Sequence, residues 1–250
     1  MPNQTAFIFD VDGTLTPSRQ EMDKEFQKWF TGFQERNFTY MVTGSDQNKT
    51  YEQVGPVVYN FCDRVYQCSG NEVWEQGKIV HSNDWKISEE VRKFLEEMLK
   101  ESEFKKRIGL HIDERVGLCN FSILGRGTEA SKENKEQYNN DRKEYQEFDK
   151  KTNEREYICK KFNKQFEPKG VRAQVAGSTG VDIMQVGSDK RQILKDFADK
   201  DIKFFGDMMQ PGGNDAPLKD AIIARNNEND KCYQVSNWEQ TFSLLKELVK

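Results

Sequence analysis

Histidine is nearly absent from this 250-residue chain, with only His81 and His111 present. A histidine metal centre or a Ser-His-Asp triad therefore has almost no raw material. The five cysteines, Cys62, Cys68, Cys119, Cys159 and Cys232, are scattered and form no C-x-x-C, which argues against both a disulfide framework and a zinc site. Nothing approaches the roughly 18 consecutive apolar residues of a membrane span, and no basic leader precedes the first strand-like segment. A cytoplasmic protein with no membrane partner is expected. Basic excess is lacking as well: 38 Lys and Arg stand against 42 Asp and Glu, a net charge of -4 that gives nucleic acid nothing to hold. No internal repeat and no Pro/Ser-rich linker divides the chain.

The length suffices for one large domain or two modest ones. Charged residues make up 32% against 35% apolar, so much of the charge must lie on solvated helices. Within this the stretch Phe7 to Thr16, Phe-Ile-Phe-Asp-Val-Asp-Gly-Thr-Leu-Thr, stands out. Thr5 to Phe9 is apolar, aromatic-rich and too short for a helix, so it reads as a buried strand. Asp10 and Asp12 follow at i and i+2, at the carboxyl end of that strand, where open α/β sheets keep their sites. Two carboxylates that close repel unless a cation or a division of labour separates them, and this suggests Mg2+. The plainer alternative is an ordinary turn with solvated acids.

Further along, Ser18 to Glu21 has the spacing of a capping box, and Met22, Phe26, Trp29, Phe30 and Phe33 recur at helical spacing. Phe38 to Val42 reads as a strand ending in Thr43-Gly44-Ser45-Asp46, whose hydroxyls could donate to a phosphate oxygen or merely cap a helix. Val57 to Asn60 and Arg64 to Cys68 read as further strands, and Val73 to Glu75 with Lys78 to Val80 as a hairpin around Gln76-Gly77. From about Asn83 to Val186 the rhythm changes. A helix (Ile87 to Ser102), two adjacent strands (Ile108 to Asp113 and Val116 to Leu124), a charged helical region and strands near Val171 to Val175 and Val181 to Met184 describe an α+β insert. After it, Ser188 to Lys190 opens a helix through Leu194 and Phe197, and Ile202 to Phe205 is a strand running into Gly206-Asp207. Pro211 to Asp215 is a loop, Ala221 to Arg225 reads as a short strand, and Ser236 to Glu239 caps a closing helix.

Asp10/Asp12, Thr43/Ser45, Lys190 and Asp207 with the Gly212-Gly213-Asn214-Asp215 loop together match one chemistry. Phosphoryl transfer to a carboxylate needs an oxygen nucleophile, hard oxygen ligands for Mg2+, donors for the phosphoryl oxygens and a positioned acid/base.

The string D-x-D-G-T-L-T resembles motif I of the haloacid dehalogenase (HAD) superfamily, and the four pieces in this order resemble its motifs I to IV. The chain as a whole resembles the eukaryotic-type phosphomannomutases of that superfamily, most specifically in Phe204-Phe205-Gly206-Asp207 and Pro211-Gly212-Gly213-Asn214-Asp215. The resemblance implies an α/β fold, a HAD-like Rossmannoid core (three-layer α/β/α) built from residues 1–82 and 187–250, with an inserted α+β cap domain of type IIB at 83–186. It implies Asp10 as nucleophile and metal ligand, and Asp12 as proton shuttle that lends its backbone carbonyl to Mg2+. Asp207 and Asp215 would be metal ligands, Lys190 would neutralise the nucleophile, and Thr43 or Ser45 would hold the phosphoryl group.

In the insert, Arg115, the segment Cys119 to Arg126 with Asn120, and Arg142 resemble the family's distal-phosphate segments, and Asp182 resembles its sugar-contacting Asp. Guanidinium groups suit a non-reacting phosphate better than amines. The implied activity interconverts mannose 6-phosphate and mannose 1-phosphate, with glucose phosphates open as further substrates, a hexose 1,6-bisphosphate as activator, cap closure as the gating motion and a homodimer through the cap. Two departures stand out: the run Thr128 to Asn139 looks longer than the family's, and Gly180 stands where the family usually has Ser. A sugar-phosphate phosphatase of the same superfamily and a non-enzymatic sugar-phosphate binder are the competing readings.

Overall fold

The computed structural model describes residues 4–127 and 134–248, so part of the run from Thr128 to Asn139 lies outside the described residues. The chain divides into two compact units, Met1–Asn83 with Gly187–Lys250, and Asp84–Val186. Strands β1 (Thr5–Phe9), β2 (Phe38–Val42), β3 (Arg64–Gln67), β4 (Glu72–Glu75) and β5 (Lys78–Ser82) belong to the first unit. The second contributes β6 (Leu110–Arg115), β7 (Leu118–Arg126), β8 (Val171–Ala176) and β9 (Gly180–Gln185). Then β10 (Asp201–Gly206) and β11 (Lys231–Gln234) return to the first. The helices are α1 (Lys24–Gln34), α2 (Gln47–Val54), α3 (Pro56–Phe61), α4 (Glu89–Glu101), α5 (Lys135–Thr152), α6 (Glu154–Phe166), α7 (Ala216–Ala224) and α8 (Trp238–Leu248).

In the first unit the seven strands form one sheet in the order β11-β10-β1-β2-β3-β4-β5. The five from β11 to β3 pair in parallel, and the β4–β5 hairpin closes the edge antiparallel. Alternation along β1 explains the three layers: Phe7 and Phe9 enter the core on one face, with Phe26, Phe30 and Phe33 of α1 and Leu245 of α8. Ala6 and Ile8 enter the core on the other face, with Phe197, Leu218 and Ile222. Phe9 stacks on Phe205 at 5.0 Å and meets Phe30 edge-on at 5.2 Å, pairs worth about 0.5–1.5 kcal/mol each beyond the area they bury. This is the expected α/β/α sandwich, and β1 lies inside it with a parallel neighbour on each side.

Three local expectations are corrected. The Ser18 box does not start α1; the Asp23 carboxylate does, accepting from the Glu25 and Phe26 N–H groups at 2.9 and 3.0 Å. Val57 to Asn60 lies inside α3, opened by Pro56, whose fixed φ suits a first helical turn. Ala221 to Ala224 is the last turn of α7, with Arg225 as its C-cap, and the strand of that region is the half-polar β11. Lys190–Phe197 is helical as expected but wound as a 3-10 helix, capped by the Asp189 side chain.

The second unit is a four-stranded antiparallel sheet in the order β6-β7-β9-β8. Cys119, Phe121, Ala173, Val181 and Ile183 pack against Phe94, Tyr145 and Phe162 of its helices. Register places Asp113 opposite Asn120, and Asp182 between Asn120 and Gln174, so the alternate residues form a polar row on the other face. No helix among the described residues is long and apolar enough to cross a membrane.

Candidate active site

Asp10 extends the pairing of β1 by one residue, its N–H donating to the Phe205 carbonyl at 2.9 Å. Asp207 follows directly on β10, the parallel neighbour: the register that pairs Phe9 with Phe205 puts Asp10 level with Gly206, and Asp207 comes one residue later, so the two acids leave adjacent strand ends. Asp215 is returned to the same place by its loop: its N–H donates to the Met208 carbonyl at 3.1 Å, and its Oδ2 accepts from the Met208 N–H at 3.0 Å. Carboxylate oxygens of Asp10, Asp207 and Asp215 lie within 4.8 Å of one another. Glycine makes this approach possible. A Cβ on Gly13, whose φ is +90°, would stand 2.5 Å from Asp207 Oδ2.

Lys190, wholly buried, donates to Asp10 Oδ1 at 2.5 Å and to Asp215 Oδ1 at 2.7 Å. One ammonium does not balance three carboxylates. Burial pushes the Asp10 carboxyl well above the usual range, Lys190 opposes that, and Asp215 and Asp207 add to it. Asp207 is pushed up to about 7, by burial and then by Asp215. For Lys190 burial acts downward, but Asp10 and Asp215 outweigh it and its pKa rises. A pocket of hard oxygens carrying this uncompensated charge fits a small dication such as Mg2+.

Asp12 is engaged differently. Its Oδ2 accepts from Lys49 Nζ at 2.6 Å and Ser45 Oγ at 3.3 Å, and its Oδ1 from the Arg19 N–H at 2.7 Å and Gln53 Nε2 at 3.0 Å. Burial alone would raise its pKa; Lys49 foremost, with the other donors, holds it well below the carboxylate range. Lys49 and Gln53 escaped the reading of the sequence. Their signal was an i,i+4 pair on the helix that Asp46 caps directly after the Thr43-Gly44-Ser45 turn. Thr43 Oγ1 accepts from the Ser45 N–H at 3.1 Å, whereas the Ser45 hydroxyl is taken up by Asp12 and by Lys49 at 2.8 Å.

In the second unit, Arg115 donates to Asp113 Oδ2 at 3.0 and 2.9 Å, and Arg126 Nε reaches the same oxygen at 3.2 Å. Arg126 Nε also donates to Asn120 Oδ1 at 2.8 Å, and Asn120 Nδ2 to Asp182 Oδ1 at 2.6 Å. The structure thus joins Arg115, Arg126, Asn120 and Asp182 in one network. Arg142, on α5, donates to Ser178 Oγ in the turn between β8 and β9. Gly180, two residues on, leaves the room Asn120 occupies: a Cβ there would stand 2.7 Å from Asn120 Nδ2.

A family model described as eukaryotic phosphomannomutase matches residues 26–250, a span that begins after Asp10 and Asp12. The phosphomannomutase of Saccharomyces cerevisiae is 32% identical over 221 residues, covering 85% of this chain and 84% of its own. Phosphomannomutase 1 of Homo sapiens is 31% identical, covering 83% and 80%. Among solved structures, the C-terminal domain of the C. albicans trehalose-6-phosphate phosphatase superposes with a TM-score of 0.66 at 13% identity, covering 99% of this chain and 92% of that one. A haloacid dehalogenase-like hydrolase from Bacteroides thetaiotaomicron gives 0.59 at 12%, covering 99% and 100%. At such identities the likeness is one of fold: a HAD-like core with an inserted unit.

Proposed function

The chain belongs to the eukaryotic phosphomannomutase family, and on that premise we propose that it interconverts mannose 6-phosphate and mannose 1-phosphate through a phosphorylated Asp10. The observation that carries this reading is the buried cluster in which Lys190 bridges Asp10 and Asp215 beside Asp207. Mg2+, held by Asp10, Asp207 and Asp215 and by the Asp12 backbone carbonyl, would supply positive charge to the phosphoryl oxygens.

A hexose 1,6-bisphosphate primes the enzyme: an Asp10 carboxylate oxygen takes one phosphoryl group, the sugar O–P bond breaks, and the hexose monophosphate leaves with its oxygen protonated from solvent. The sugar hydroxyl of mannose 6-phosphate then attacks that phosphorus. Asp12, kept ionised by Lys49, takes the hydroxyl proton, and the Asp10 carboxylate leaves. The bisphosphate so formed turns end for end, Asp10 takes the other phosphoryl group, and Asp12 returns the proton to the departing oxygen. Thr43 is the better candidate to donate to the phosphoryl group, because the Ser45 hydroxyl serves Asp12. Lys190 holds the nucleophilic oxygen and offsets its charge. The Arg115–Asp113–Arg126 group, with Arg142, takes the non-reacting phosphate, and Asp182 accepts from sugar hydroxyls. The protein works in the cytoplasm as a homodimer through its inserted cap.

The test is a 31P NMR time course with mannose 1-phosphate, Mg2+ and a trace of glucose 1,6-bisphosphate, with Asp10→Asn as control. Growth of a hexose 6-phosphate signal without comparable inorganic phosphate is expected. Inorganic phosphate as the dominant product would sink the mutase and leave a phosphatase.

A further inference from the structure

In the polar row Asp113, Asn120, Asp182 and Gln174, three members are tied to one another or to arginines, and the fourth is not. Gln174 sits on β8 directly opposite Asp182 of β9, so the two side chains leave the same face of the sheet as neighbours. Gln174 is 8% exposed, and its amide nitrogen is buried with no hydrogen-bond partner among the described residues. Turning the amide end for end does not remove the difficulty, since a polar group still occupies a site without a complement. The large majority of buried side-chain polar atoms are paired. An unpaired one costs stability and calls for a use in another state.

We propose that Gln174 is a substrate-contacting residue that acts as a pair with Asp182 on the sugar. The inference rests on the hexose phosphomutase reading and adds a contact to it. Asp182 offers an acceptor and Gln174 a donor, from directly opposed positions on adjacent strands. A hydroxyl that donates to the carboxylate and one that accepts from the amide satisfy both. Asn120 orients the carboxylate through its 2.6 Å bond, so the pair is fixed on one side. Selection among hexose phosphates then depends on which hydroxyls meet this pair, because a polar site left unpaired discriminates more strongly than a tight apolar one.

The experiment uses the full chain with Mg2+ and the near-isosteric Gln174→Leu variant. Turnover of mannose 1-phosphate, glucose 1-phosphate and p-nitrophenyl phosphate is measured, together with Tm. The expected result is a rise of about tenfold in KM for at least one hexose phosphate, unchanged aryl phosphate turnover, and a Tm equal to or above wild type. Monodeoxy mannose 1-phosphates identify the hydroxyl: its removal penalises wild type and leaves Gln174→Leu unaffected. Hexose phosphate KM values within twofold of wild type overturn the proposal, as does a lowered Tm with aryl phosphate turnover falling in step, which marks a structural role. Should wild type hydrolyse hexose phosphates without isomerising them, the mutase reading fails on its own, and the KM for hydrolysis carries the same comparison.

Discussion

Lys190 Nζ lies between Asp10 Oδ1 and Asp215 Oδ1, at 2.5 and 2.7 Å, with no part of the lysine exposed. A buried ammonium shared by two carboxylates is costly to remove, because the acids left behind repel without a counter-charge. Lys190→Met is expected to lower stability by about 3–5 kcal/mol in EDTA at pH 8. Mg2+ should raise its Tm by more than it raises that of wild type, since the ion takes over a neutralising role. Differential scanning fluorimetry with and without Mg2+ reads this, and an equal Mg2+ response in both proteins would count against it.

The raised pKa of Asp207 makes a prediction of definite sign. Its folded value of about 7 exceeds the ordinary 3.8, so the folded protein binds this proton more tightly than the unfolded chain does. The contribution is complete below about pH 4 and is lost as pH rises through 7. The Tm of the metal-free protein should therefore fall between pH 5 and pH 8. Asp207→Asn should flatten that slope, and Mg2+ should abolish it. A flat profile in EDTA would remove the electrostatic account of the cluster.

Lys49 acts on Asp12 in the opposite direction. Its ammonium, 2.6 Å from Oδ2, keeps the carboxylate ionised to low pH. Lys49→Met leaves the donors from Arg19 N–H and Gln53 but removes the charge, so the Asp12 pKa rises. The acid limb of the kcat/KM profile should move to higher pH by about one unit or more. An unchanged limb with reduced turnover would mean that Lys49 does something other than hold Asp12 ionised.

Gly180→Ser tests the space that Asn120 fills. The added Cβ would stand 2.7 Å from Asn120 Nδ2 and 3.0 Å from Oδ1, so the amide must shift and release Asp182, Arg126 or both. Because that amide ends a flexible side chain, the stability cost is expected to stay within about 1–3 kcal/mol. KM for hexose phosphates should change severalfold while aryl phosphate turnover holds. Kinetic constants equal to wild type for every sugar phosphate would show the network to be unimportant for substrate.

The sequence by itself determined most of what is local. Thr5 to Phe9 had to be a buried strand because five apolar or β-prone residues ended by acids and a glycine fit little else, and the family resemblance followed from the spacing around it. Local patterning failed where an apolar run was short. Val57 to Asn60 and Ala221 to Arg225 carry the residues of either a strand or a helix face, and the prolines at 56 and 217, in the first turn of each element, mark them as helices. The half-polar β11 gave too weak an alternation to be seen.

Only the tertiary structure decided which strands are neighbours. β1 lies between β10 and β2 although about 190 residues separate β10 from it, and this pairing brings the two strand ends that carry Asp10 and Asp207 together. The Asn120–Asp182 and Asp182–Gln174 pairings likewise come from sheet register, which no pattern within one segment encodes. Lys49 and Gln53 reach Asp12 from a different element, by the direction in which α2 leaves its cap. Residue type and spacing specify what each segment can become, whereas charge balance, pKa and hydrogen-bond satisfaction depend on distances that exist only once the segments are packed.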